Sequence, residues 1–193
     1  MIASRDPFFS ACGLNCGLCP RFHTAGSSKC PGCGNEGFPA KHPACGVLSC
    51  AVRKEIMYCY ECGNYPCPKY ANAHYDSFIT HQNMRSDFEK AKTLGIDAYQ
   101  IILTSKMAIL RQLLSDYHDG RQKSFFCLAV NLLALQDLQS VMAQIAIETA
   151  TLQTIKEKAA VVAALLHRMG EKRGISLKLM PKKQAQKSEE GEP

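Results

Sequence analysis

The sequence predicts a small, irregular, cysteine-rich N-terminal module that is stabilised by metal, followed by an all-α C-terminal helical domain. Ten of the eleven cysteines lie between Cys12 and Cys67, in a stretch rich in glycine and proline that shows neither a helical nor a strand period. After about Asn72, apolar residues recur at helical spacing. The predicted domains are a metal-binding module at 1–72, a helical domain at 73–180 and a disordered tail at 181–193.

The N-terminus has no signal-peptide pattern, and no apolar run is long enough to span a membrane. We therefore expect a cytoplasmic protein without membrane association. In the reducing cytosol, clustered cysteines are more often metal ligands than disulfides. A cysteine-rich segment of this size cannot bury enough apolar surface to fold unaided, so metal is expected to take the place of a core.

The clearest motif is a matched pair of Cys-x2-Cys turns, Cys30–Cys33 and Cys59–Cys62, each followed by a glycine. Such a turn directs both sulfurs to one point, and the glycine allows the tight reversal that brings backbone N–H groups to the sulfurs. Together the two turns predict a tetrahedral four-thiolate site of the zinc-ribbon or rubredoxin type. Zinc is the expected metal, and iron fits the same geometry.

The other six cysteines leave the partition of the ligands open. Ten ligands do not divide into sites of four, so either two cysteines are not ligands, or His23 and His42 complete a third site, or sulfurs bridge two ions. A [4Fe–4S] cluster is the alternative cofactor, because four thiolates hold one and because Cys-Pro pairs, here at Cys19 and Cys67, end ferredoxin motifs. The predicted metal ligands are Cys12, Cys16, Cys19, Cys30, Cys33, Cys45, Cys50, Cys59, Cys62 and Cys67.

Four or five helices are predicted after the cysteine-rich module. The capping-box pattern of Ser86–Glu89 and the stop signal at Gly95 predict a short helix near 87–94. Asp97 is predicted to cap a second helix that Gly120 ends. The apolar stripe of this second helix comprises Leu103, Met107, Leu110, Leu114 and Tyr117.

The later helices follow from an apolar run and a second capping box. Ser124 opens the run Phe125–Leu135, which favours a buried helix, and helical spacing continues at Leu138, Met142, Ile145 and Thr149. Thr154–Glu157 is a capping box, and Gly174 lies past the end of that helix. Its predicted buried face comprises Ile155, Ala159, Val162, Leu166 and Met169. The alternation in Ile175–Leu179 allows a short extended segment.

The formal net charge of +6 at pH 7 is compatible with nucleic-acid binding. Ligation of two divalent ions by eight thiolates would lower it to about +2. The basic C-terminal stretch also lacks interleaved aromatic residues for base stacking. Nucleic acid is therefore not an expected partner. No phosphate loop, catalytic triad or acidic pair in a defined context is present, so no reaction and no catalytic residue are predicted.

The cysteine pattern resembles a known prokaryotic family. The motifs that carry the resemblance are Cys12-Gly-Leu-Asn-Cys16-Gly-Leu-Cys19-Pro, Cys30-Pro-Gly-Cys33, Cys45, Cys50, Cys59-Tyr-Glu-Cys62 and Pro66-Cys67. They are similar, over residues 12–70, to a cysteine-rich domain of unknown function that is presumed to bind metal. The segment 120–130 is similar to the helical extension of its longer members. The resemblance implies a compact metal module in cytoplasmic bacterial or archaeal proteins, and it implies no reaction.

Several other residues favour a structural interpretation. Cys127 is predicted to be a small buried apolar residue, with a nucleophile or an additional ligand as the alternative. His23, His42 and His74 are predicted to be surface residues. The predicted function is a cytoplasmic zinc-binding protein whose metal module is structural and whose helical domain offers a surface to a protein partner or ligand. The alternatives are an iron–sulfur redox protein or enzyme and, more weakly, a nucleic-acid binder of the zinc-ribbon type.

Overall fold

The computed structural model describes residues 6–71 and 76–180, and every regular element within these ranges is a helix. Four single-turn 3-10 helices lie in the cysteine-rich part, at Cys16–Leu18, Gly26–Ser28, Phe38–Ala40 and Cys59–Glu61. The α-helices are α1 (Gly46–Arg53), α2 (Pro68–Ala71), α3 (Met84–Leu94), α4 (Ile96–Asp116), α5 (Lys123–Leu132), α6 (Leu135–Glu148) and α7 (Ile155–Lys172). This confirms an irregular cysteine-rich region followed by helices. None of the described helices is both long and apolar enough to cross a membrane.

The chain forms two compact units. The first comprises Met1–Gln100 and Leu179–Pro193, and the second comprises Ile101–Lys178. The predicted domain boundary between residues 72 and 73, and the predicted tail at 181–193, lie outside the described residues.

The first unit has an aromatic core. Phe9, Phe88 and Tyr99 are at most 3% exposed, and the ring of Phe9 lies 5.6 Å from that of Phe88 and 4.7 Å from that of Tyr99. The rings of Tyr58 and Tyr70 extend the cluster, at 5.3 Å from Phe9 and 5.9 Å from Phe88. Because α3 and the first turn of α4 supply Phe88 and Tyr99, the cysteine-rich segment does have an apolar core, and part of that core comes from the helices that follow it.

The start of α3 differs from the prediction. The helix begins at Met84, and Ser86 lies in its first turn, where its hydroxyl donates to the carbonyl of Asn83 at 3.0 Å. The predicted capping box at Ser86–Glu89 is therefore wrong. The Ser86 side chain donates to a carbonyl that precedes the helix and does not accept from a helix-terminal N–H. Gly95 ends the helix with a φ of +86°, as predicted.

The start of α4 also differs from the prediction. Asp97 lies inside its first turn and does not cap it, because α4 begins at Ile96, directly after Gly95. The buried stripe of α4 includes Leu113, which is fully buried, whereas the predicted Leu114 is only half-buried. The described segment 175–179 contains no strand.

The second unit is built around α7, which packs against α5 and α6. Its core includes Leu110, Leu113, Phe126, Val130, Leu133, Leu138, Ile145, Val162 and Leu166. Cys127 on α5 is 2% exposed within this core, which confirms its prediction as a small buried residue. Arg173, directly after α7, makes a bidentate ion pair with Asp137 of α6, with an Nε–Oδ2 distance of 2.9 Å and an Nη2–Oδ1 distance of 2.5 Å. The predicted face of α7 is buried at Ala159, Val162 and Leu166, but Ile155 is 44% exposed.

The predicted capping box at the start of α7 is confirmed. The amide of Glu157 donates to the Thr154 hydroxyl at 3.2 Å, and the Thr154 amide donates to the Glu157 carboxylate at 3.2 Å. The Thr154 hydroxyl and amide lower the pKa of Glu157. Because the pKa is lowered in the folded state, Glu157 adds to the free energy of unfolding at pH values above its ordinary pKa. This stabilisation is lost as the pH falls through the lowered pKa.

Thr154→Ala should lower the free energy of unfolding of the second unit by about 1 kcal/mol, because it removes the acceptor of one helix-terminal N–H. The exposed Thr151, on the preceding turn, provides the control substitution Thr151→Ala. Urea denaturation followed by circular dichroism measures both variants. Equal losses would contradict the capping role.

Candidate metal centre

The ten predicted ligand cysteines line two cavities in the first unit. A cavity of about 90 Å³, the six-cysteine cavity, is lined by Cys12, Cys16, Cys19, Cys30, Cys33 and Cys45. A cavity of about 350 Å³, the four-cysteine cavity, is lined by Cys50, Cys59, Cys62 and Cys67. No cysteine lines both cavities. None of these ten cysteines, all within the described residues, forms a disulfide, and Cys127 belongs to the second unit.

The four-cysteine cavity is assembled from three local structures. Cys50 lies on α1, and Cys67 directly precedes α2. Cys59 begins a 3-10 turn, which is closed by a hydrogen bond of 3.1 Å from the Cys62 amide to the Cys59 carbonyl. The Cys59 amide donates to the carbonyl of Ala11 at 2.8 Å, which attaches this turn to the N-terminal segment. The Cys-x2-Cys turn therefore presents its two sulfurs from a fixed backbone.

The two cysteines of this turn have opposite electrostatic environments. The pKa of Cys62 is lowered, first by the backbone N–H of Asn64 and then by Lys54, whose ammonium donates to Cys62 Sγ at 3.1 Å. Burial, followed by the nearby sulfurs of Cys12 and Cys67, raises the pKa of Cys59 to about 12. A divalent cation between these sulfurs would offset both burial and mutual repulsion, since cysteine binds metal as the thiolate.

The six-cysteine cavity is assembled from two neighbouring backbone segments and a helix start. Cys16 begins a 3-10 turn that the Cys19 amide closes at 3.0 Å, and the amide of Cys30 donates to the Arg21 carbonyl at 3.0 Å. Cys45 is the N-cap of α1, where its sulfur accepts from the amide of Leu48 at 3.5 Å. Cysteine is not a usual N-cap, so no capping signal predicted α1.

The sulfurs of the six-cysteine cavity stand close enough to oppose one another's ionisation. Burial, followed by the nearby sulfurs of Cys33 and Cys12, raises the pKa of Cys16 well above its ordinary value. Burial also raises the pKa of Cys12 and of Cys19, although the Ser10 hydroxyl lies 3.1 Å from Cys12 Sγ and partly counteracts the effect there. Several adjacent thiols of this kind become thiolates together only with cations between them.

A buried polar network, missed by the sequence analysis, holds the loop between Cys12 and Cys16. The amide nitrogen of Asn15 donates to Asp87 Oδ2 at 2.8 Å, and the Tyr99 hydroxyl donates to Asn15 Oδ1 at 2.8 Å. All three residues are at most 3% exposed. The one available signal was that Asn15 is the polar residue in the Cys12-x3-Cys16 motif. The loop that carries two candidate ligands is thereby fixed to α3 and α4.

The structure does not bring together the two Cys-x2-Cys turns that were predicted to share a site. Cys30 and Cys33 line the six-cysteine cavity, whereas Cys59 and Cys62 line the other, because each turn bonds to a different part of the backbone. Among the described residues, no three His, Cys, Asp or Glu side chains are placed so that they could hold one ion.

The histidines near the cysteines have other contacts. The Nε2 atom of His23 lies 2.7 Å from the carbonyl oxygen of Gly17, and His42 Nδ1 lies 2.9 Å from that of Pro43. The ring of His42, which lines the six-cysteine cavity, stacks on Phe38 at 4.8 Å. His74 lies outside the described residues.

Residues 8–72 match the model of a family described as "Protein of unknown function (DUF3795)". The match includes all ten cysteines of the two cavities and ends before α3. It confirms the resemblance of the cysteine pattern to a cysteine-rich domain of unknown function. No curated protein and no solved structure matches the chain.

Proposed function

We propose that the cysteine-rich part of the first unit binds zinc through its thiolates and that the bound metal has a structural role. The observation that carries this proposal is the division of all ten N-terminal cysteines between two cavities. Four thiolates around one ion are the donor set of a structural zinc site, with no position open for a substrate. In this proposal Cys50, Cys59, Cys62 and Cys67 hold one ion.

The chemistry of the four-cysteine cavity supports this assignment. Four thiolates around one Zn²⁺ have a net charge of −2, and the ammonium of Lys54 beside Cys62 Sγ compensates part of it. Because no three donors within residues 6–71 and 76–180 are placed to hold one ion, binding requires the side chains to move inward from the cavity wall. The Cys59–Cys62 turn needs the least change, since its backbone is already fixed.

One observation favours an iron–sulfur cluster as the second candidate. The four-cysteine cavity measures about 350 Å³, which is more room than one ion needs, and four cysteines around such a space can hold a [4Fe–4S] cluster. In that case the protein would carry electrons or sense oxygen. Colour separates the two candidates, because zinc sites are colourless and iron–sulfur clusters absorb visible light.

In the zinc proposal, the helical domain offers a surface to a protein partner or ligand and does not take part in metal binding. Its single cysteine, Cys127, is buried in the core of the second unit. Ile147, in the last turn of α6, and Ile155, the first residue of α7, are 77% and 44% exposed. Exposed apolar side chains on either side of one connection are compatible with a binding surface.

Metal analysis of two matched cysteine variants tests the proposal. Cys62→Ser should lower the zinc content by one ion per chain, because serine does not replace a thiolate in a four-thiolate site. Cys127→Ala should leave the zinc content unchanged, since Cys127 lies in the core of the second unit. Equal zinc loss from both variants, or no loss from Cys62→Ser, would refute the assignment. Cys30→Ser, in the other cavity, should also lower the zinc content.

A further inference from the structure

We infer that the six-cysteine cavity is a binuclear zinc site, in which two ions share six thiolates and two of the sulfurs bridge them. This inference rests on the proposed zinc binding and extends it to a second site. Together with the single ion of the four-cysteine cavity, it gives three zinc ions per chain and uses all ten N-terminal cysteines.

The number of sulfurs in the cavity is the first argument for two ions. One tetrahedral ion takes four ligands and would leave two of the six cysteines without metal, whereas two separate ions would need eight ligands. Six sulfurs satisfy two ions when two of them bridge, because four terminal and two bridging sulfurs fill eight coordination positions. Six-cysteine, two-zinc modules are an established protein architecture.

The charge of the cavity supports two ions over one. Its lining includes the apolar side chains of Leu14, Phe38 and Ile79, in which uncompensated thiolates are costly. Six thiolates with one divalent ion have a net charge of −4, and with two ions a net charge of −2. Arg21 and Lys41 also line this cavity, so two cationic side chains are present to balance the smaller charge.

The exposure of the six sulfurs indicates one bridging ligand. Cys33, at 8% exposed, is the least exposed of the six. A bridging sulfur contacts two ions and is therefore the most enclosed member of such a site. We therefore assign Cys33 to a bridging position. The half-buried Cys45, at the start of α1, is a terminal ligand in this assignment.

Native mass spectrometry of the zinc-loaded full chain provides the first test. Three ions are expected in the wild type. Cys50→Ser should retain two, because the binuclear site stays intact, whereas Cys33→Ser should retain one, because both ions lose a shared ligand. Cys45→Ser, which removes a terminal sulfur, should also bind fewer than three ions. It replaces Cys33→Ser in the test if that variant does not fold.

Replacement of zinc by ¹¹³Cd provides the second test, because two cadmium nuclei that share sulfur ligands show scalar coupling to each other. We expect three resonances, two of which are mutually coupled, and the coupling should persist in Cys50→Ser and vanish in Cys33→Ser. Two uncoupled ions per chain would refute the binuclear site and leave the proposed zinc binding intact. A chain that binds neither zinc nor cadmium would refute both.

Discussion

Gly32→Ala should destabilise the first unit by about 4 kcal/mol, the sum of backbone strain and a forced displacement of neighbouring backbone. Gly32 lies inside the Cys30–Cys33 turn with a φ of +93°, a conformation that disfavours any residue with a Cβ. A Cβ at this position would lie 2.3 Å from the carbonyl oxygen of Pro7 and 2.7 Å from its Cα. Since those are backbone atoms, the turn and the N-terminal segment would have to separate.

Gly26→Ala is the matched control for this substitution. Gly26 also has a positive φ, +68°, but a Cβ there meets no atom within 4 Å. Its cost should therefore be confined to backbone strain, about 1 kcal/mol. Urea denaturation of the zinc-loaded protein, followed by tyrosine fluorescence, measures the stability of both variants. The signal reports mainly on the first unit, since the chain has no tryptophan and Tyr117 is the one tyrosine of the second unit. Similar losses for Gly32→Ala and Gly26→Ala would contradict the close contact with Pro7.

Asp87→Ala should lower the free energy of unfolding of the first unit by about 3 kcal/mol, because it removes the buried acceptor of several donors. Asp87 is 3% exposed and accepts from the side-chain amides of Asn15 and Asn83 and, at 2.9 Å, from Lys90. Without this carboxylate, Asn15 loses its attachment to α3. The loop between Cys12 and Cys16 should then be less well positioned, and the six-cysteine cavity should release zinc faster.

Glu89→Ala provides the control for Asp87→Ala, because Glu89 is an exposed acidic residue on the same helix. It should change stability by no more than about 0.5 kcal/mol. Urea denaturation gives the stability of each variant, and transfer of zinc to a chromogenic chelator gives the release rate. If Asp87→Ala loses stability while its zinc release is unchanged, the network supports the core without positioning the cysteine loop.

The sequence predicted those features that depend on nearby residues. Thr154 and Glu157 are three positions apart, and each bonds to the other's backbone N–H, so their pattern alone was sufficient for the capping box. Gly95 and Gly174 likewise mark chain reversals through their own positive φ. The family resemblance was also readable, because it rests on the spacing of the cysteines between Cys12 and Cys67.

Features that depend on distant residues could not be predicted in the same way. The aromatic core joins Phe9 to Phe88, and no local pattern relates these two positions. The separation of the two Cys-x2-Cys turns depends on backbone bonds such as that from the Cys59 amide to the Ala11 carbonyl. The ten cysteines could therefore be picked out from the sequence as candidate ligands, but the assignment of each sulfur to a cavity required the three-dimensional structure.

The central claim, that the N-terminal cysteines bind zinc, is tested most directly by elemental analysis and a visible spectrum of the protein purified without oxygen. We expect about three zinc ions per chain, the number that fills both cavities with four-coordinate ions, and no visible absorption. A folded chain without zinc, whose ten N-terminal cysteines all react with a thiol reagent, would contradict it. Iron and sulfide in place of zinc, with a broad band near ~400 nm, would also contradict it and would establish the iron–sulfur alternative.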